Sequence, residues 1–126
     1  MKTLKLKIAS DSNFFLQGIQ HKPGTAIILD HDWVHNYIGS ARIYVEEGFL
    51  WMEAYFPEIF PLPTDFLQRT PSLGGEVLEQ RGNCVRCFRV HEVSLCINPN
   101  VDPAIRSIEE QIKENPETWQ NLFMNS

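Results

Sequence analysis

The first part of the chain shows a period of two between apolar and polar positions. Residues 4–8 alternate aliphatic side chains with lysines. In an extended strand, successive side chains point to opposite faces, so this segment is predicted to be a half-buried strand. A second strand is predicted over residues 25–29, an apolar run that leads into a polar stretch rich in histidine.

Two hairpins are predicted further along the chain. Residues 41–45 and 49–56 are rich in β-branched and aromatic side chains, and Gly48 between them suits a turn with positive φ. Residues 77–80 and 84–97 also have an extended pattern, and the glycine and asparagine that separate them suit a tight turn.

A longer helical pattern is found near the end of the chain, after at most a short helical turn over residues 65–68. Asp102 is a candidate N-cap, Pro103 suits the first helical position, and Ile105, Ile108 and Ile112 fall on one helical face. The pattern predicts an α+β fold with about six or seven mostly antiparallel strands, forming a strand-rich curled sheet or a small β-barrel, with a C-terminal helix. The length of 126 residues suits a single domain spanning residues 1–126.

The composition limits which kinds of partner and which cellular compartment are expected for this protein. The formal net charge is −5 and the basic residues are mostly scattered, which argues against a nucleic-acid partner. The longest apolar run is residues 26–29, far too short to span a membrane, and the N-terminal residues do not resemble a signal peptide. Three cysteines without a secretion signal favour reduced thiols, so a cytoplasmic location is expected.

Ser72 and His31 are the candidates for nucleophilic chemistry. A serine hydroxyl is a weak nucleophile until an imidazole accepts its proton, and a third group must hold that imidazole in the right tautomer. Gly74 and Gly75 follow Ser72 closely and would let a backbone approach a substrate carbonyl, as in an oxyanion hole. Taken alone, the serine motif is more often a structural turn, and His31 could be a polar loop residue.

Three segments, taken in their order along the chain, support a catalytic role for Ser72 and His31. They read Ile-Leu-Asp-His-Asp at 28–32, Pro-Ser-Leu-Gly-Gly at 71–75 and Val-His-Glu-Val-Ser-Leu at 90–95. Together they resemble the prohead maturation proteases of tailed phages, which are related in fold to the herpesvirus assemblins. The resemblance covers roughly residues 25–108, and the chain order of histidine, serine and acid is that of the family.

The resemblance implies a function and three catalytic roles. His31 would be the general base, Ser72 the nucleophile and Glu92 the third member, with His91 as the alternative. Because neighbours in a strand point to opposite faces, only one of His91 and Glu92 can reach His31. The three chosen side chains are expected to converge, with Ser72 Oγ at or near hydrogen-bond distance of the His31 ring.

In that case the protein would be a serine endopeptidase of capsid maturation. It would cleave scaffold protein, major capsid protein or itself through an acyl-enzyme, in the host cytoplasm or inside the prohead. Such a protein needs no cofactor and could also form a homodimer.

Two other functions remain open. The segment before Ser72 is broken by prolines and is shorter than the helical insert usual in the family, so the chain could be a non-catalytic relative that acts in assembly. A small zinc-binding interaction module is the other alternative, with Cys84, Cys87, His91 and Cys96 as ligands. A continuous strand separates the first two cysteines by about 10 Å, too far for one zinc ion, so no metal is expected.

Overall fold

A computed structural model describes residues 2–12, 14–32, 37–59, 61–97 and 102–115 of the chain. Within these residues the chain forms a strand-rich mixed sheet and one short C-terminal helix. The elements are β1 (Lys2–Ser10), β2 (Ile19–Gln20), β3 (Thr25–Leu29), β4 (Tyr37–Glu46), β5 (Phe49–Phe56), β6 (Thr70–Arg81), β7 (Cys84–Cys96) and α1 (Ile108–Glu114). No helix in the described ranges is long and apolar enough to cross a bilayer.

The seven strands form one sheet in the order β1-β5-β4-β3-β7-β2, with β6 also paired to β7. Strands β2 and β3 run parallel to β7, and the other pairings are antiparallel. The prediction of a curled sheet or barrel was wrong, because the sheet is neither closed nor strongly curled. Closure requires every strand to have two hydrogen-bonded neighbours, and among the described strands β1 pairs with β5 alone and β6 with β7 alone.

The period of two in the N-terminal segment correctly predicts burial. Leu4, Leu6 and Ile8 are buried, whereas Lys5 is exposed. The core joins these side chains to apolar residues of the other long strands and of α1, which rests on it through Ile108. Burial of this contiguous apolar surface is the main driving force for the fold.

The hairpin between β4 and β5 is confirmed, with Glu47 at φ 52° and Gly48 at φ 79°. Two successive residues with positive φ match the twist of the flanking strands, which is why glycine is favoured in such a turn. The second hairpin is also confirmed but is longer than predicted. Strand β6 begins at Thr70, so the glycine pair, which the serine motif taken alone would place in a turn, lies within a strand, at an irregularity in register between Gly74 and Gly75.

The predicted start of the helix was wrong. Helix α1 begins at Ile108, and Ser107 is its N-cap, whose side chain accepts a hydrogen bond from Glu110 N. The carboxylate of Asp102 is buried and instead accepts hydrogen bonds from the Ser10 backbone at 2.9 Å and from Ala104 N at 3.0 Å. Asp102 therefore ties the end of β1 to the segment before α1.

Candidate functional site

His31 lies just beyond the end of β3, on a tight turn of the backbone. Asp30 has φ 52° and His31 has φ 57°, so both lie in the left-handed region. This region costs roughly 1–2 kcal/mol for a residue with a side chain, although Asp and His tolerate it better than most. A hydrogen bond from His31 N to Ser94 Oγ at 2.7 Å stabilises the turn, and Ser94 is fully buried on β7.

Arg69 fixes the same turn from the other side. Its guanidinium donates hydrogen bonds to Asp30 Oδ1 at 3.1 Å, to Asp65 Oδ1 at 2.9 Å and to the carbonyl of Leu95 at 2.7 Å. Burial lowers the pKa of Arg69, but the hydrogen bonds of Asp65 and Asp30 outweigh this, and the pKa is raised overall. The hydrogen bond of Arg69 is also the main cause of the lowered pKa of Asp65.

The His31 ring contacts a carboxylate of β7. His31 Nδ1 lies 3.1 Å from Glu92 Oε1, and the side chains are 45% and 7% exposed, respectively. Glu92 stands two residues before Ser94, so β7 directs both side chains to one face. His91 points away and lies 4.0 Å from Glu76. The acid beside His31 is therefore Glu92 rather than His91.

The second oxygen of this carboxylate has an unusual environment. Glu92 Oε2 is buried and has no hydrogen-bond partner in the described part of the chain. Buried polar atoms are nearly always paired, and an unpaired one costs about 1–3 kcal/mol. The carboxylate can therefore accept another hydrogen bond at this position.

Strand β6 places Ser72 on the same face. Ser72 lies opposite Ser94 in the antiparallel ladder, and Gly74 lies opposite Glu92. Directly opposed side chains project to the same side of a sheet. Ser72 is only 3% exposed, and no hydrogen bond joins it to His31 among the residues described. Contact is thus observed for His31 and Glu92, with Ser72 on the same face, and the catalytic roles stay predictions.

Three residues of this site were not singled out from the sequence as site residues. Ser94 could have been found from the period of two along β7, since it must share a face with Glu92. Asp30 and Arg69 are 39 positions apart, and neither has a local pattern that indicates their contact. Only tertiary structure brings them together.

The cysteines give no metal centre within the described residues, where no group of three or more His, Cys, Asp or Glu side chains could hold an ion. All three lie in β7 as free thiols. Cys96 is buried on the face of Ser94 and Glu92, and burial is the main reason for its raised pKa. A raised pKa keeps the thiol protonated and makes Cys96 a poor nucleophile.

Two surface cavities lie away from the candidate site residues. One, of about 290 Å³, is bounded in part by Lys7 and Trp51, and the other, of about 530 Å³, by Lys22 and His91. Neither cavity is lined by His31, Ser72 or Glu92, of which Ser72 and Glu92 are buried.

The described site is thus a histidine–carboxylate pair with a buried serine on the same sheet face. Comparisons of the chain with protein-family models, with curated proteins and with solved structures found no match.

Proposed function

We propose that the protein is a serine endopeptidase of phage capsid maturation, with Ser72 as nucleophile, His31 as general base and Glu92 as the acid that orients His31. The contact of 3.1 Å between His31 Nδ1 and Glu92 Oε1 is the observation that carries this proposal. A carboxylate at Nδ1 favours the tautomer in which Nδ1 bears the proton, and this leaves Nε2 able to accept one.

The reaction would proceed in two steps. The Ser72 hydroxyl attacks the scissile carbonyl while His31 Nε2 accepts its proton, and the imidazolium is stabilised by Glu92. His31 then gives this proton to the leaving amine, and an acyl-enzyme remains. A water molecule, deprotonated by His31, attacks the ester, and His31 then returns this proton to Ser72 Oγ as the ester bond breaks.

For this proton transfer, the Ser72 hydroxyl must donate a hydrogen bond to His31 Nε2, which requires the two side chains to approach each other. Such catalytic hydrogen bonds are often long without substrate and shorten when substrate binds. The exposed fraction of the His31 side chain, 45%, gives substrate access to the base. The substrate would be scaffold protein, major capsid protein or the chain itself, cleaved in the host cytoplasm or inside the prohead.

A fluorophosphonate probe tests the nucleophile directly. We expect one covalent adduct, mapped to Ser72 by mass spectrometry, and no adduct in Ser72→Ala or His31→Ala. Matched controls are Ser12→Ala and His21→Ala, because both of these residues are exposed and lie outside the site. Folded Ser72→Ala protein that is still labelled would contradict the assignment.

Cleavage of a co-expressed scaffold or capsid protein tests the pair as one unit. If His31 activates Ser72, each single variant should lose about as much rate as the double variant. Two independent structural roles predict additive losses of stability and no common loss of rate. Thermal melts of the same variants separate these outcomes.

A non-catalytic assembly role is the second candidate, and one observation favours it. Ser72 is 3% exposed and has no hydrogen bond to His31 in the described residues, although a nucleophile must meet its substrate. In that case the probe would label nothing, while the protein and Ser72→Ala would bind scaffold protein equally well in a pull-down. Labelling of Ser72 would exclude this candidate.

A further inference from the structure

Gly74 lies directly opposite Glu92 in the ladder between β6 and β7. A Cβ atom built on Gly74 would lie 1.7 Å from Glu92 Oε1, 1.9 Å from Oε2 and 2.0 Å from Cδ. Such distances are far below van der Waals contact. The carboxylate thus occupies the space that the first side-chain atom of any other residue at position 74 would fill.

The need for glycine at this position comes from space and not from backbone conformation. The described glycines with positive φ are Gly24, Gly48 and Gly82, and Gly74 is not one of them. Its neighbour Gly75 is constrained in another way, since a Cβ there would meet the carbonyl oxygen of Arg89 at 2.0 Å. Gly75 therefore accommodates a backbone, whereas Gly74 accommodates a functional side chain.

The position of the carboxylate over Gly74 decides what it can contact. In this position Oε1 lies within hydrogen-bond distance of His31 Nδ1, while the Glu92 side chain stays buried. A methyl group at position 74 would displace both oxygens, and the hydrogen bond to Nδ1 would lengthen or break. The imidazole would then lose the acceptor that favours protonation of Nδ1.

We propose that Gly74 is a positioning residue, whose missing side chain seats the Glu92 carboxylate against His31 and so fixes the tautomer of the ring. The catalytic meaning of this role rests on the proposed protease function. The positioning itself is a property of the His31–Glu92 pair and can be measured without any substrate.

The first test is Gly74→Ala, observed by long-range ¹H–¹⁵N NMR of the His31 ring at alkaline pH. We expect the protein to have Nδ1 mainly protonated, and we expect Gly74→Ala to shift the ring toward protonation of Nε2, in the same direction as Glu92→Ala, which removes the acceptor altogether. Gly75→Ala is the matched control, because it disturbs the same strand pair without contacting Glu92. An unchanged ring spectrum in folded Gly74→Ala would overturn the proposal.

A double variant keeps the test decisive if Gly74→Ala folds poorly. Glu92→Ala removes the carboxylate with which the new methyl group collides, so Gly74→Ala should lower the Tm by about 5 °C or more in the wild-type background but hardly at all in Glu92→Ala. An equal loss in both backgrounds would show that position 74 needs glycine for another reason, and would overturn the proposal.

The two proposals can fail separately. Absence of probe labelling with a ring spectrum that depends on Gly74 would reject the protease and keep the positioning role. Labelling of Ser72 that persists in Gly74→Ala with an unchanged ring spectrum would do the reverse.

Discussion

Replacement of Arg69 by methionine removes the charge that fixes the turn before His31, while it keeps a long apolar side chain. Arg69 is buried, and its shortest hydrogen bond, at 2.7 Å, is the one to the carbonyl of Leu95. A hydrogen bond from a charged donor to a buried acceptor contributes about 1.5–3 kcal/mol. The Leu95 carbonyl keeps a longer hydrogen bond from Asp30 N, at 3.4 Å, which places the loss at the lower end.

The two ion pairs of Arg69 contribute less to the free energy of unfolding than the hydrogen bond to Leu95 does. The side chains of Asp30 and Asp65 are 56% and 44% exposed, so solvent screens both pairs and each contributes little to stability. We therefore expect Arg69→Met to lower the free energy of unfolding by about 2–3 kcal/mol. This is a large share of the total, which for a domain is about 5–15 kcal/mol.

Urea unfolding followed by circular dichroism measures this change, with the slope of the transition checked for constancy. Arg42→Met is the matched control, since Arg42 pairs with Glu53 at 3.1 Å with both side chains more than half exposed. The control should cost less than about 1 kcal/mol. A loss of stability in Arg69→Met no greater than that in Arg42→Met would contradict this prediction.

Two further predictions concern ionisable groups. Arg69 holds the pKa of Asp65 below its ordinary value of 3.8, so the stabilisation is present above that pH and is lost as the pH falls through the lower folded-state pKa. Asp65→Asn should therefore weaken the dependence of the urea midpoint on pH below about pH 4. Burial raises the pKa of Cys96, so at pH 8 a thiol reagent such as DTNB should react with the half-buried Cys84 and Cys87 before Cys96. Rapid modification of Cys96 in folded protein, located by mass spectrometry, would contradict this.

The local pattern of apolar and polar residues was sufficient to predict most of the strands. The alternation in residues 4–8 and the glycine at position 48 each act through the nearest neighbours in the chain, so β1 and the β4–β5 hairpin could be predicted. The helix start was missed because the Asp102 carboxylate bonds to β1, 92 positions away, instead of capping a helix. A long-range contact of this kind has no local pattern.

For the candidate site, too, some features could be predicted from the sequence and others depended on the tertiary structure. The sequence determined which residue types could carry nucleophilic chemistry, and the alternation of β7 determined that His91 and Glu92 point to opposite faces. Tertiary structure decided which of them meets His31, because that depends on how β3 and β7 pair and on the left-handed turn after β3. It also decided that Gly74 lies under the carboxylate, since only the register of β6 against β7 places these two residues opposite each other. Register is set by the packing of whole strands, and a single segment of sequence does not contain it.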